Sequence, residues 1–369
     1  MSSKKYVFLL FLITLIIYRT SAGQMRASVS GENVYQATDR YSMSGHANKE
    51  SRSFTNWDNN DPPVIPANCA TCHSTPGFLD FLGEDGSPTG IVDQPAPTGS
   101  VITCNACHNR TAHELKIIRF HSEVEVNPTD SEAVCLVCHQ TRQSTIGIER
   151  TLQDLTDDAV LPNQGFINPH YSFAASTQYG ADAHSGFEYP DREYAGFFFH
   201  SPGVSTCTDC HNPHDLRVDP QKCSICHVNV VDIEDFYDIR TQKKDFDGNL
   251  NSSEGISAEI ASLHSRLLSA IQLYAQEVAG FGVVYADQFP YFFIDANLNG
   301  VADSEEVNIG NRYNAWTPRM LRAAYNYQFV KKDTGGYVHN SRYIIQLLRD
   351  SISDISLGTS QPAIIFTRP

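Results

Sequence analysis

Basic side chains are scarce in this chain of 369 residues: Lys and Arg number 27 against 42 Asp and Glu, a formal net charge of −15. Neutralising a phosphate backbone needs clustered Lys and Arg, so this balance argues against nucleic acid as a partner. Methionine is rare, with four residues, and tryptophan rarer, with two. Only one apolar run stands out, Tyr6 to Ile17, and it is too short for an ordinary membrane span. A hydrophobic content of 41% still suffices for a packed core, which argues against wholesale disorder. The length allows one large domain or two ordinary ones.

The apolar run follows Lys4 and Lys5 and exits through Thr20, Ser21, Ala22 and Gly23. A basic start, a short apolar segment and small residues at the exit describe a secretory signal peptide, here residues 1–22, cut near Ala22 or Gly23. Cleavage removes Lys4, Lys5 and Arg19 but no acid, so the remainder is more acidic still and has no transmembrane span. The expected location is outside the cytoplasm: periplasmic, cell-surface or extracellular. No Cys lies near the exit to carry a lipid anchor.

No Cys stands alone. The chain reads Cys69-Ala-Thr-Cys72-His73, Cys104-Asn-Ala-Cys107-His108, Cys135-Leu-Val-Cys138-His139, Cys207-Thr-Asp-Cys210-His211 and Cys223-Ser-Ile-Cys226-His227. In an exported protein ten Cys first suggest five disulfides. The spacing points elsewhere, because C-x-x-C-H is the attachment signature of c-type haem. Two thiols two residues apart each bond one vinyl group of the same porphyrin, and the next His reaches the iron as proximal ligand. Zinc knuckles do not require a His after each pair, and a redox-active C-x-x-C occurs once beside a βαβ pattern. Five covalently bound haem c groups are therefore expected.

The chain resembles the secreted multihaem c-type cytochromes. Besides the five motifs, the resemblance rests on Ser44-Gly45-His46-Ala47, Asp61-Pro62-Pro63, His73-Ser74-Thr75-Pro76-Gly77, Cys138-His139-Gln140-Thr141-Arg142-Gln143-Ser144, Trp316-Thr317-Pro318-Arg319 and Ala323-Ala324-Tyr325-Asn326-Tyr327-Gln328. It implies electron transfer with other cytochromes or redox proteins as partners. It also implies self-association into filaments as one outcome, since an N-terminal His of one subunit can ligate a neighbour's haem in such proteins.

Five haems need five distal ligands. Met25, Met43 and Met320 are few, so mainly bis-His, low-potential haems are expected. The chosen distal ligands are His46, His170, His200, His214 and His339, with His113 and His121 in reserve. His214 follows His211 too closely to reach the other face of the same haem and would serve a neighbour. His46 stands in the Ser-Gly-His-Ala context of the resemblance. His339 precedes Asn340, a good helix N-cap, and orienting that turn is its competing role. His264 sits in a patterned helix and reads as packed core; His184, between Gly180 and Gly186, reads as loop.

The expected fold is mainly α with extensive irregular loop: a haem-wrapped region over 23–229 and a small all-α domain over 230–369. In the latter, Ile256, Ile260, Leu263, Leu267, Ile271 and Tyr274 recur at helical steps. Thr317-Pro318 opens a second helix running to about Phe329, and Asn340 a third. The run Phe289-Pro-Tyr291-Phe292-Phe293 reads as core.

Two acidic loops flank the first of these helices. Asp295, Asn297, Asn299, Val301, Asp303 and Glu306 match the twelve-residue calcium loop, with Gly300 at its sixth position. Aligned on Gly248, the other loop offers Asp245, Asp247, Asn249, Asn251 and Glu254 but begins with Lys243, so weaker calcium binding is expected. In this setting calcium would tie helices together.

The leading expectation is an exported electron carrier with no catalytic residue. A multihaem reductase acting on nitrite or hydroxylamine would need one haem with an open face. One such group attaches that haem through C-x-x-C-K, whereas all five motifs here end in His. A third reading makes the C-terminal region an adaptor to a porin or surface layer.

Overall fold

The computed structural model describes residues 32–129, 132–361 and 367–369. The expected signal peptide lies outside them. The protein is mainly helical with long irregular connections, and among the described residues its sheet is confined to three two-stranded pairs. Among the described residues, no helix is long and apolar enough to cross a membrane.

By packing, the chain divides into two units: residues up to Ala106 with Phe199–Val218, and Cys107–Phe198 with Asp219–Pro369. This division differs from the one drawn at 229/230 in the sequence. In the second unit Ile148, Leu152, Phe173, Phe187 and Tyr189 share one apolar core with the C-terminal helices. Phe173, Phe187 and Tyr189 are isolated aromatics, and Ile148 and Leu152 lie on a helix of only eight residues, so neither set carries a periodicity that shows its destination.

The first unit is built from short helices. Val34–Ser42 starts at a capping box: Asn33 Oδ1 accepts from Tyr35 N and Gln36 N, and Asn33 N donates to Gln36 Oε1. The small apolar cluster of this unit is Ile65, Ala70 and Ala96.

The second unit holds the long helices expected from the sequence. Ile256–Tyr274 buries Ile260, Leu263, Leu267, Ile271 and Tyr274 along one face. Pro318–Lys332 begins at Thr317, whose hydroxyl accepts from Met320 N at 3.2 Å. It is buried on nearly every side, polar residues included. Its Asn326 is satisfied by the backbone N–H and C=O of Phe187 and by Ser351 Oγ. Ser341–Ser356 is capped by Asn340, which accepts from Tyr343 N.

A short antiparallel hairpin, Gly282–Tyr285 with Phe292–Asp295, interrupts this helical region. Tyr291, Phe292 and Phe293 of the aromatic run are buried, while Phe289 is exposed. The loop 295–306 is therefore entered from a strand, not from a helix.

Candidate functional site

Helical geometry brings the paired thiols together. Residues three apart lie on one face, and four of the motifs carry both Cys on a single short helix: Ala67–His73, Cys104–Cys107, Ala133–Cys138 and Cys207–Cys210. Local sequence fixes these turns. In the fourth motif Thr206 is the N-cap, and Asp209, between the two thiols, accepts from Thr206 N at 2.8 Å and Ser205 N at 3.0 Å. In the first, Ser74 ends the thiol helix and caps the next, its Oγ accepting from Gly77 N at 3.0 Å. A Cβ on Gly77 would lie 2.4 Å from Ala70, the buried residue between Cys69 and Cys72. Only glycine permits that approach.

None of the ten Cys is buried, and none is joined to another. Free cysteine is ordinarily among the most buried residues, so ten thiols held at open faces call for another explanation than packing.

Three of the imidazoles after the thiols share a second feature. His73 Nδ1 donates to Ser53 O at 2.7 Å, His139 Nδ1 to Ser172 O at 2.7 Å and His211 Nδ1 to Leu216 O at 2.9 Å. A donating Nδ1 fixes the tautomer and leaves the lone pair on Nε2, the arrangement that metal-ligating His adopts. The thiol pairs and these imidazoles form the donor set that haem c requires.

Four further His are braced through Nδ1. His214 meets Glu32 at 2.9 Å and His339 meets Asp333 at 2.9 Å. Both were expected among the distal ligands, so His339 does more than precede a cap. His121 Nδ1 lies 3.1 Å from Gln140 Oε1, which also accepts from His121 N. Burial holds the His121 pKa below its ordinary value.

His184 lies in a turn, as the loop reading has it, and its imidazole is held there. Its Nδ1 donates to Glu188 Oε2 at 2.6 Å, a contact that raises its pKa, and its φ is +47°. Glu188 is itself held by Tyr343 OH, and Thr145, just beyond the third motif, donates its N–H to His184 O and accepts from Glu188 N. Such over-determination keeps a non-glycine residue in a left-handed conformation. The sequence signal was the His-x-x-x-Glu spacing.

His264 is half-buried, packed against the core helix Pro318–Lys332. Its Nε2 donates to Tyr327 O at 2.9 Å, and its ring stacks on Tyr327 at 3.9 Å between centroids. His46 is tied through its carbonyl to Ile102 N, and His170 through its N–H to Asn168 Oδ1. His113 stands in the short helix Arg110–Glu114.

The loop 295–306 ties its side-chain oxygens into hydrogen bonds with its own residues. Asp295 Oδ2 accepts from Gly300 N, Glu306 Oε1 from Ala296 N, and Asp303 Oδ2 from the side chains of Asn297 and Asn299. Gln272 of the first long helix donates to Gly300 O.

No family model matches the chain, and no solved structure does. Among curated proteins, it is 25% identical to the C-type polyheme cytochrome OmcB of Geobacter sulfurreducens over 82% of this chain. It is 24% identical to the C-type polyheme cytochrome OmcC of the same organism, again over 82%. The chain spans 45% of the length of the first and 44% of the second. Carried across most of the chain, this similarity supports a relationship to the multihaem c-type cytochromes.

Proposed function

We propose that this chain is an exported carrier of electrons holding five covalent haem c groups. The observation that carries the reading is the placement of all ten thiols: five C-x-x-C pairs, none buried, each followed by His. Bound there, haem iron supplies one-electron redox chemistry. The chain's own residues attach, orient and tune it. Cys69/Cys72, Cys104/Cys107, Cys135/Cys138, Cys207/Cys210 and Cys223/Cys226 hold the porphyrins, and His73, His108, His139, His211 and His227 take the proximal positions. Carbonyls on the Nδ1 side of His73, His139 and His211 keep those rings oriented and basic.

Four distal positions go to His121, His184, His214 and His339, whose Nδ1 atoms are braced by Gln140, Glu188, Glu32 and Asp333. The fifth goes to one of His46, His170 and His200. Imidazole on both faces sets a low potential. Calcium in the loop 295–306 would tie its hairpin to the long helix through Gln272. The excess of acid makes docking to redox partners, or to further copies of the chain, sensitive to salt.

Intact mass and EPR test this. The mass should exceed the processed polypeptide by five haems, and the ferric spectrum should be low-spin throughout. His184→Gln should convert one haem-equivalent to high-spin. A colourless protein overturns the proposal, and a high-spin haem in the wild type overturns the pure-carrier reading in favour of a reductase.

A further inference from the structure

We propose that residues 245–259 form a second divalent-cation site, suited to calcium, whose closing carboxylate is Glu259 and not Glu254. It stands independently of the haem reading.

The backbone sets the register. Asp245 Oδ2 accepts from Leu250 N at 2.8 Å, as Asp295 Oδ2 accepts from Gly300 N at 2.8 Å. Asp247 Oδ1 accepts from Asn249 N at 3.0 Å, as Asn297 Oδ1 does from Asn299 N. Asn249 Oδ1 accepts from Asn251 N at 2.7 Å, as Asn299 Oδ1 does from Val301 N. Gly248 and Leu250 are left-handed at φ +78° and +69°; Leu298 and Gly300 are left-handed at +58° and +75°. The two loops share one conformation, with glycine at the earlier left-handed position in one and the later in the other. Aligning on glycine therefore shifts the register by two residues. Asp245, not Lys243, opens the loop.

In this register Ile256 falls where the other loop has Glu306, and it offers no oxygen. Glu259, one turn further along the helix, takes that role. Its Oε2 accepts from Phe246 N at 2.7 Å and Asp247 N at 2.8 Å, as Glu306 Oε1 accepts from Ala296 N. Glu254 turns aside to accept from Asn249 Nδ2 at 2.7 Å.

The charge points to a ligand. One carboxylate oxygen from each of Asp245, Asp247 and Glu259 lies within 4.8 Å of the others. Asp247 and Glu259 are wholly buried, and Asp247 Oδ2 has no hydrogen-bond partner. Arg240 pairs with Glu259 Oε1 at 2.7 Å and donates to the carbonyls of Gln242, Lys244 and Glu254. It neutralises one carboxylate of three. The two remaining charges match a divalent cation, and a buried unpaired carboxylate is otherwise costly. The donors are all oxygens, which calcium prefers. The cluster of Asp80, Asp85 and Asp93 differs, because only Asp80 is buried there and none of the three has a buried carboxylate oxygen without a partner.

Calorimetric titration of calcium into the chelator-stripped full chain tests the assignment. Asp247→Asn and Glu259→Gln should each lose one calcium equivalent relative to wild type, while Glu254→Gln keeps it. Full stoichiometry in Asp247→Asn, or a loss in Glu254→Gln, overturns the proposal. Should these variants fail to fold, native mass spectrometry of Asp295→Asn, which leaves this loop intact, decides: one bound calcium is expected, and none overturns it.

Discussion

Replacing the half-buried His264 by Gln removes a titrating group while keeping a donor for Tyr327 O. Burial, opposed by the Tyr327 carbonyl and reinforced by Lys331, lowers the His264 pKa from 6.5 to about 4. Between those values the unfolded chain takes up a proton that the folded one refuses. Stability therefore rises with pH, is complete above about 6.5, and is lost as pH falls toward 4. From pH 8 to pH 5 the residue's contribution should fall by ~2 kcal/mol, approaching ~3 kcal/mol at lower pH. Urea unfolding followed by far-UV circular dichroism at both pH values measures it. Wild type should lose ~2 kcal/mol more than His264→Gln over this interval. Comparing the two chains cancels the other titrating groups, and any packing defect of the variant appears equally at both pH values. Parallel pH dependences would refute a half-buried neutral imidazole. A change in the haem spectrum on substitution would refute the non-ligand role, because Nε2 is already committed to Tyr327.

Leu250→Gly relieves an exposed residue held at φ +69° and should stabilise by about 1 kcal/mol, seen as a higher Tm; no gain would mean the strain is not there. Gly77→Ala drives a methyl into Ala70, should cost about 1–3 kcal/mol, and by displacing the Cys69–Cys72 turn should lower haem loading at that motif, read by intact mass. Full loading at unchanged stability would show that the two helices part easily.

How much was legible in the sequence differs from element to element. The five thiol pairs, the three long C-terminal helices and the capping residues Thr317 and Asn340 are local in origin. Spacing two residues apart on one turn, apolar steps of three and four, and a side-chain oxygen before a helix act within a few residues, so they can be read without knowing the fold. The acidic spacing of residues 295–306 is local in the same way. The role of Glu259 is not: it depends on which backbone N–H groups its carboxylate meets, and the glycine that guided the alignment occupies the other left-handed position. His184 was hidden likewise, since its partner Glu188 is oriented by Tyr343, far along the chain. Nor could the sequence place Ile148, Phe173 and Phe187 in the same core as the C-terminal helices. Sequence determined where thiols and imidazoles stand along the chain, because attachment chemistry needs only local spacing. Tertiary structure decided which imidazoles are braced and which carboxylates converge, because those properties arise between residues that only folding brings into contact.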